Sequence, residues 1–150
     1  MSSSSSTFNS ESTKKEKLVD KTKHWVCCLA NEMKGQAHLW IENRKISFEE
    51  NFEQLKLTKN CFSKVDKGSV LHIYCHGSPE ETVLYLHDTA LKPTDFLKFL
   101  KESGLPNDHK LIVLDACYSD KFAEELAKVA KDDFPNLCVS GFPGQYVVCQ

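Results

Sequence analysis

The chain predicts an α/β fold: a three-layer αβα sandwich built on a largely parallel sheet. Three observations carry that reading. Two apolar runs of strand length, Ser69–Tyr74 and Lys110–Leu114, are bounded by turn or polar residues, as strands buried on both faces are. Strand-like runs alternate with amphipathic segments along most of the chain, the pattern of a sheet built by crossovers. The length, 150 residues, suits one domain with its own core.

Each element has its own local reason. Residues 1–23 open on a serine run and continue through Ser, Thr, Glu and Lys. With almost nothing apolar to bury, they cannot offset the entropy of ordering, so a disordered tail is expected there and a folded domain over 24–150. His24–Ala30 reads as the first strand, and Ala37–Glu42, across Lys34-Gly35, as another strand or hairpin arm. Ser47 to Lys59 has Phe48, Phe52 and Leu55 at helical spacing with acids near its start, which predicts an amphipathic helix. The strand Ser69–Tyr74 follows.

Pro79-Glu80-Glu81 makes a turn, and Thr82–His87 alternates as an exposed hairpin arm does. Pro93–Ser103 reads as a helix with an early proline, an apolar side of Phe96, Leu97 and Leu100, and Gly104 and Pro106 as stop signals. The strand Lys110–Leu114 leads through Cys117 to a helix from Asp120 to about Lys131, capped by Ser119 or Asp120. Its buried stripe is Phe122, Ala123, Leu126, Ala127 and Ala130. Asn136–Ser140 predicts a further strand, Gly141–Gly144 a turn, and Tyr146–Cys149 a last short strand.

Composition removes several functional classes. A formal net charge of −2 provides no basic field, so no nucleic-acid partner is expected. No run approaches the roughly 20 apolar residues that cross a bilayer, and the start lacks the apolar core of a secretion signal. No membrane association is therefore expected. Seven cysteines at 27, 28, 61, 75, 117, 138 and 149 form an odd set without framework spacing, which fits a reducing compartment such as the cytoplasm. Cys75-His76 with Cys117 lack a fourth ligand and there is no CxxC pair, so no metal is expected. Neither GxGxxG nor GxxxxGK[ST] occurs, and no cofactor is expected.

The chemistry concentrates in two short segments, Tyr74-Cys75-His76-Gly77-Ser78 and Leu114-Asp115-Ala116-Cys117-Tyr118-Ser119-Asp120. Each closes a predicted strand, and catalytic groups of open α/β sheets gather outside the carboxyl ends of strands. The thiolate is the nucleophilic form of cysteine, and a helix starting directly after Cys117 favours the anion. His76 can hold the proton and hand it to a leaving amine. Gly77, without a side chain, lets a backbone N–H approach a developing oxyanion. Ser78 and Tyr118 can cap their loops or line the cleft.

The remaining candidates read more plainly. His24, His38, His72 and His87 lie in or beside strand-like runs as surface or interface side chains, and His109 sits in a loop. Cys75 falls on the opposite strand face from His76 and reads as packing. Trp25 and Trp40 read as anchors of the core or a sheet edge.

His-Gly at one strand end, then a hairpin and helix, then acid-x-Cys-x-Ser at the next strand end resemble the caspase-like cysteine peptidases: caspases, metacaspases, legumains, clostripains and CHAT-domain proteases. The likeness covers roughly Ser69–Lys131, with a weaker fit of the flanking strands. It implies a His76/Cys117 dyad, an oxyanion hole from Gly77 and the Cys117 backbone N–H, and an acyl-enzyme intermediate. His76 and Cys117 lie 41 positions apart, room for one hairpin and one crossover helix. In metacaspases and legumains the acid at the Asp115 position lines the pocket for the residue before the scissile bond. By resemblance Asp115, with Ser78 and Tyr118, is a substrate-binding candidate and a basic or amide P1 residue is implied; the other reading of Asp115 is an acid bonded to nearby backbone N–H groups.

There are departures from the pattern. Metacaspases carry Ser-Gly where this chain has Tyr74-Cys75, and most relatives have glycine soon after the cysteine, where this chain has Asp120-Lys121. Full-length relatives continue past the strand Asn136–Ser140 with further strands and a specificity loop. The expected partner is a protein or peptide substrate, and a homodimer is compatible with the fold class. A catalytically inactive interaction or scaffold module of the same fold is the alternative.

Overall fold

The computed structural model describes residues 22–145. The expectations for a tail before residue 22 and for a strand at Tyr146–Cys149 lie outside the described residues. In chain order the elements are β1 (Lys23–Cys28), a 3-10 turn (Asn31–Met33), α1 (Lys34–Ser47), β2 (Asn51–Leu55), β3 (Val70–Tyr74), β4 (Leu84–Leu86), β5 (Thr89–Leu91), α2 (Pro93–Glu102), β6 (Leu111–Asp115), α3 (Asp120–Val129) and β7 (Cys138–Ser140). Five strands form one sheet in the order β2-β1-β3-β6-β7, and every neighbouring pair is parallel. The α/β class with a parallel sheet is as the sequence predicts.

Alternation along the strands divides the core between the two faces of the sheet. Val26, Cys28, Phe52 and Tyr74 meet Ala37, Trp40 and Ile41 of α1 on one face. Cys27, Leu71, Ile73, Ile112 and Leu114 meet Phe96 and Leu100 of α2 and Phe122 and Leu126 of α3 on the other. The central strand β3 is buried at all five positions, which is why it reads as an unbroken apolar run.

Two early elements exchange their expected types. Ala37–Glu42 is not a strand but the middle of α1: Ala37, Trp40 and Ile41 are its buried residues, the i, i+3, i+4 set of a helix face, while Leu39 between them is 57% exposed. The expected helix over Ser47–Lys59 is instead strand β2. Phe52 and Leu55 are buried there, whereas Phe48 is 55% exposed and contributes no helical stripe. The remaining helices and strands fall within a few residues of their predicted places.

The expected hairpin is present as β4 and β5, antiparallel and separate from the main sheet. It is tied down where the main strands end: Tyr85 N–H donates to the His76 carbonyl (3.1 Å) and His87 N–H to the Leu29 carbonyl (2.9 Å). From β1 the chain runs outward to β2 and returns to β3 on the other side of β1. The order therefore reverses between β1 and β3, and the crevice outside their carboxyl ends is where such sheets bind ligands.

Candidate active site

Cys75, the first residue past β3, still donates its N–H to the Asp115 carbonyl (3.3 Å), and His76 follows it. Cys117 stands two residues beyond β6. Gly77 lies flat against the Cys117 peptide: a Cβ there would overlap the Cys117 carbonyl oxygen and stand 3.1 Å from its carbon. His76, Gly77 and Cys117 are thus brought to one place at the carboxyl rim. The bond from Tyr85 N–H ends on the His76 carbonyl, so this pairing does not use the Gly77 N–H.

The backbone contact sets a strict size limit at position 77. Gly77→Ala is expected to cost about 1–3 kcal/mol by overpacking, because the opposing atoms are backbone and cannot rotate away. Thermal unfolding measures that loss, and the alkylation rate of Cys117 reports whether its turn has shifted. An unchanged melting point would remove this contact from the account.

The His76 imidazole has a partner that the sequence does not advertise. Its Nε2 lies 3.0 Å from Glu32 Oε2, and Glu32 sits in the 3-10 turn after β1. Glu32's own backbone, and then the imidazole, hold its carboxyl below the usual carboxylate range. Glu32 and His76 are 44 positions apart, and only the adjacency of β1 and β3 joins them. No local spacing signals such a pair.

The turn carrying Cys117 is fixed by the loop after β7. Tyr118 N–H donates to Gly144 C=O (2.8 Å), Ser119 N–H to Phe142 C=O (2.8 Å) and Asp120 N–H to Phe142 C=O (3.3 Å). Phe142 N–H in turn donates to Ser119 Oγ (2.9 Å), and Ser119 Oγ–H donates to the Ala116 carbonyl (2.7 Å). Gly141 packs so closely on the Ser119-Asp120 peptide that a Cβ would stand 2.8 Å from Asp120 N. Tyr118 adopts φ +53° to make the bend, a conformation costly for a bulky residue.

One expectation is corrected here. Ser119 is the N-cap of α3 but makes no side-chain cap bond; its hydroxyl is turned back to the strand end. The N–H groups of Tyr118, Ser119 and Asp120 are taken up by the Phe142 and Gly144 carbonyls.

Ser78 and Tyr118 line one cleft of about 320 Å³ together with Glu80, Glu81, Asp120 and Lys121. Ser78 also stabilises its own loop, since Oγ accepts from the N–H groups of Glu80 and Glu81, both at 3.2 Å. It therefore caps and lines at once.

Asp115 is placed elsewhere. Its carboxylate is buried on the α1 face of the sheet and accepts from His72 Nδ1 at 2.9 Å, so its partner is an imidazole rather than backbone N–H groups. His72 Nε2 meets His24 Nδ1, also at 2.9 Å. His24 stacks on Phe52 with ring centroids 4.4 Å apart, and Trp40 presents its edge to His72 at 5.6 Å. The expectation that His72 is a surface side chain is corrected: its residue is buried.

Tyr74 fills the space beside Asp115, its register partner. Burial, then the nearby Cys28, Asp115 and Cys117, push its phenol up to about 12. Cys75 is fully buried and burial pushes its thiol up, consistent with packing rather than nucleophilic work. His109 is buried and its ring bridges the carbonyls of Asp66 (3.0 Å) and Leu111 (2.7 Å), a structural tie. His38 lies on α1, and His87 at the hairpin bend with φ +55°.

Among the described residues no group of three or more His, Cys, Asp or Glu side chains is arranged to hold a metal ion. No described helix is long and apolar enough to cross a membrane. No protein-family model matches the chain, and no curated protein matches it.

Proposed function

We propose that the chain is a cysteine endopeptidase of the caspase-like kind, acting through a His76/Cys117 dyad and an acyl-enzyme. The observation that supports this most is the packing of Gly77 on the Cys117 peptide, which joins the two strand-end motifs at the rim beside the switch point. In this reading the Cys117 thiolate attacks the scissile carbonyl carbon. His76, having taken the thiol proton, gives it to the leaving amine; water then attacks the thioester and releases Cys117. The Gly77 and Cys117 N–H groups face the developing oxyanion.

Glu32 completes the arrangement as a positioning residue. By accepting from Nε2–H it fixes the imidazole tautomer and leaves Nδ1 to exchange the proton with the thiol. Three carboxylates, Glu80, Glu81 and Asp120, rim the cleft against one ammonium, Lys121. A P1 side chain carried past Tyr118 into this cleft, which His76 and Cys117 themselves do not line, meets a balance that favours a basic residue. Asp115, already paired with His72, supports the nucleophile's turn from behind the sheet.

A peptide library offered to the folded chain tests the proposal. Cleavage after Arg or Lys is expected to exceed cleavage after Asp or Glu by at least about tenfold, since reversing one close charge contact is worth more than 1.4 kcal/mol. Equal rates for basic and acidic P1 residues would overturn the specificity. A folded protein with no turnover of any member would favour the inactive interaction module instead.

A further inference from the structure

On the α1 face of the sheet three polar side chains form a line across the strands. Asp115 at the end of β6 accepts from His72 Nδ1–H on β3, and His72 Nε2 meets His24 Nδ1 on β1, each contact at 2.9 Å. With the single N–H of a neutral His72 given to the carboxylate, Nε2 is a lone pair, and His24 Nδ1–H donates to it. His72 is buried and His24 half-buried. His24 in turn stacks on Phe52 of β2, ring centroids 4.4 Å apart and interplanar angle 5°. The line ties β6, β3, β1 and β2 together beneath α1.

Such a line has room for a fixed number of protons. With every bond intact an N–H can sit between Asp115 and His72, between His72 and His24, and on the outer Nε2 of His24. Two neutral rings fill the first two places, and filling the third makes one imidazolium. A further proton would set two N–H groups, and two cations, against each other across the 2.9 Å contact. The surrounding groups do not relieve that conflict. Asp115 from β6 is already engaged; Tyr74 from β3 and Cys28 from β1 are kept neutral by burial. α1 brings another cation, Arg44, 5.7 Å from the Phe52 ring centre and paired with Glu50 at 3.1 Å. β2 presents Phe52 here, while Glu53 is turned to the opposite face and holds Lys23 at 2.6 Å.

We infer that His24 and His72 form an acid-sensitive latch: the two rings share one extra proton with the line intact, and a second proton parts them. His24 is the ring that moves. A charged His72 is held more firmly by the Asp115 carboxylate, whereas His24 lies nearer solvent and is held by stacking. Its departure uncovers Phe52 and loosens the edge strand β2. The unfolded chain binds a proton on each ring near the ordinary imidazole value, about 6.5, and the latched fold binds one fewer. The contribution of the latch to stability is therefore fully present above that value and is lost as pH falls below it. Neither His76 nor Cys117 takes part, so the latch stands or falls independently of the peptidase proposal.

Urea unfolding of the full chain and of His24→Gln across the imidazole range tests the latch. Glutamine carries no charge and can still give or take a hydrogen bond at His72. The carboxylates and the remaining histidines titrate alike in both proteins and cancel in the comparison. Between pH 6 and pH 5 the unfolding constant of the unsubstituted chain is expected to rise about eightfold more than that of His24→Gln, the effect of one missing proton of ordinary imidazole affinity. In a parallel NMR titration of the imidazoles, the His24–Phe52 ring contact is expected to persist while one ring is charged and to vanish as the second becomes imidazolium. Equal pH dependence in the two proteins would overturn the latch, and so would two imidazolium rings with the contact retained. If His24→Gln fails to fold, the NMR titration of the unsubstituted chain decides alone.

Discussion

Cys117→Ala and His76→Ala are each expected to lower kcat/KM for a peptide that the unsubstituted chain cleaves by at least roughly a thousandfold, and the double substitution to cost no more than either alone. Nucleophile and proton carrier act as one unit, so their losses do not add. Stability should stay within about half a kcal/mol, because the His76 side chain is 49% exposed and Cys117 lies at the rim. Retained turnover in Cys117→Ala would end the dyad assignment. Glu32→Gln is expected to cost far less, about tenfold in kcat with KM unchanged: Glu32 is 68% exposed, and an amide oxygen still accepts from the imidazole. Loss of the positioning effect should show as a changed pH profile, which a merely structural residue would not alter.

The second large effect is expected on stability. His72→Leu leaves the Asp115 carboxylate buried without its 2.9 Å partner, and breaking a buried pair from one side costs about 3–5 kcal/mol. The change also removes the aromatic contacts of His72 with Trp40 and Phe52. Asp115→Leu should cost less, because it removes the carboxylate instead of leaving it buried without a partner. The double variant His72→Leu/Asp115→Leu should be more stable than the sum of the single losses predicts, by about 1–3 kcal/mol, the coupling of residues in one network. Denaturant unfolding of the four proteins measures it. Strict additivity would show that the two side chains act separately.

These residues show what a sequence can and cannot disclose. The strands at Ser69–Tyr74 and Lys110–Leu114 are legible because burial on both faces leaves no polar interruptions, and the helices at Pro93 and Asp120 because their apolar positions recur at helical spacing. At Ala37–Glu42 the segment is too short to separate the two periods: His38, Leu39 and Trp40 alternate plausibly, and only the sheet shows that Trp40, not Leu39, faces inward. The reverse happens at Asn51–Leu55, where Phe48 imitates the first position of a helical stripe yet lies in the connection before an edge strand. The His76, Gly77 and Cys117 motifs can be found because each is contiguous with a strand end. Glu32 beside His76, and Asp115 with His72 and His24, cannot, because parallel register between distant segments creates those contacts.

The clasp between the Cys117 turn and residues 141–145 has a consequence for the order of events during synthesis. β3, β6 and α3 leave the ribosome first, so a nascent chain can carry His76 and Cys117 while Tyr118, Ser119 and Asp120 still lack the Phe142 and Gly144 carbonyls that hold them. Until that loop emerges, the strained bend at Tyr118 has nothing to maintain it. The bend that carries Cys117 is therefore held only once residues 141–145 have followed β7 out, so under the dyad proposal a shorter nascent chain holds both motifs without a fixed turn.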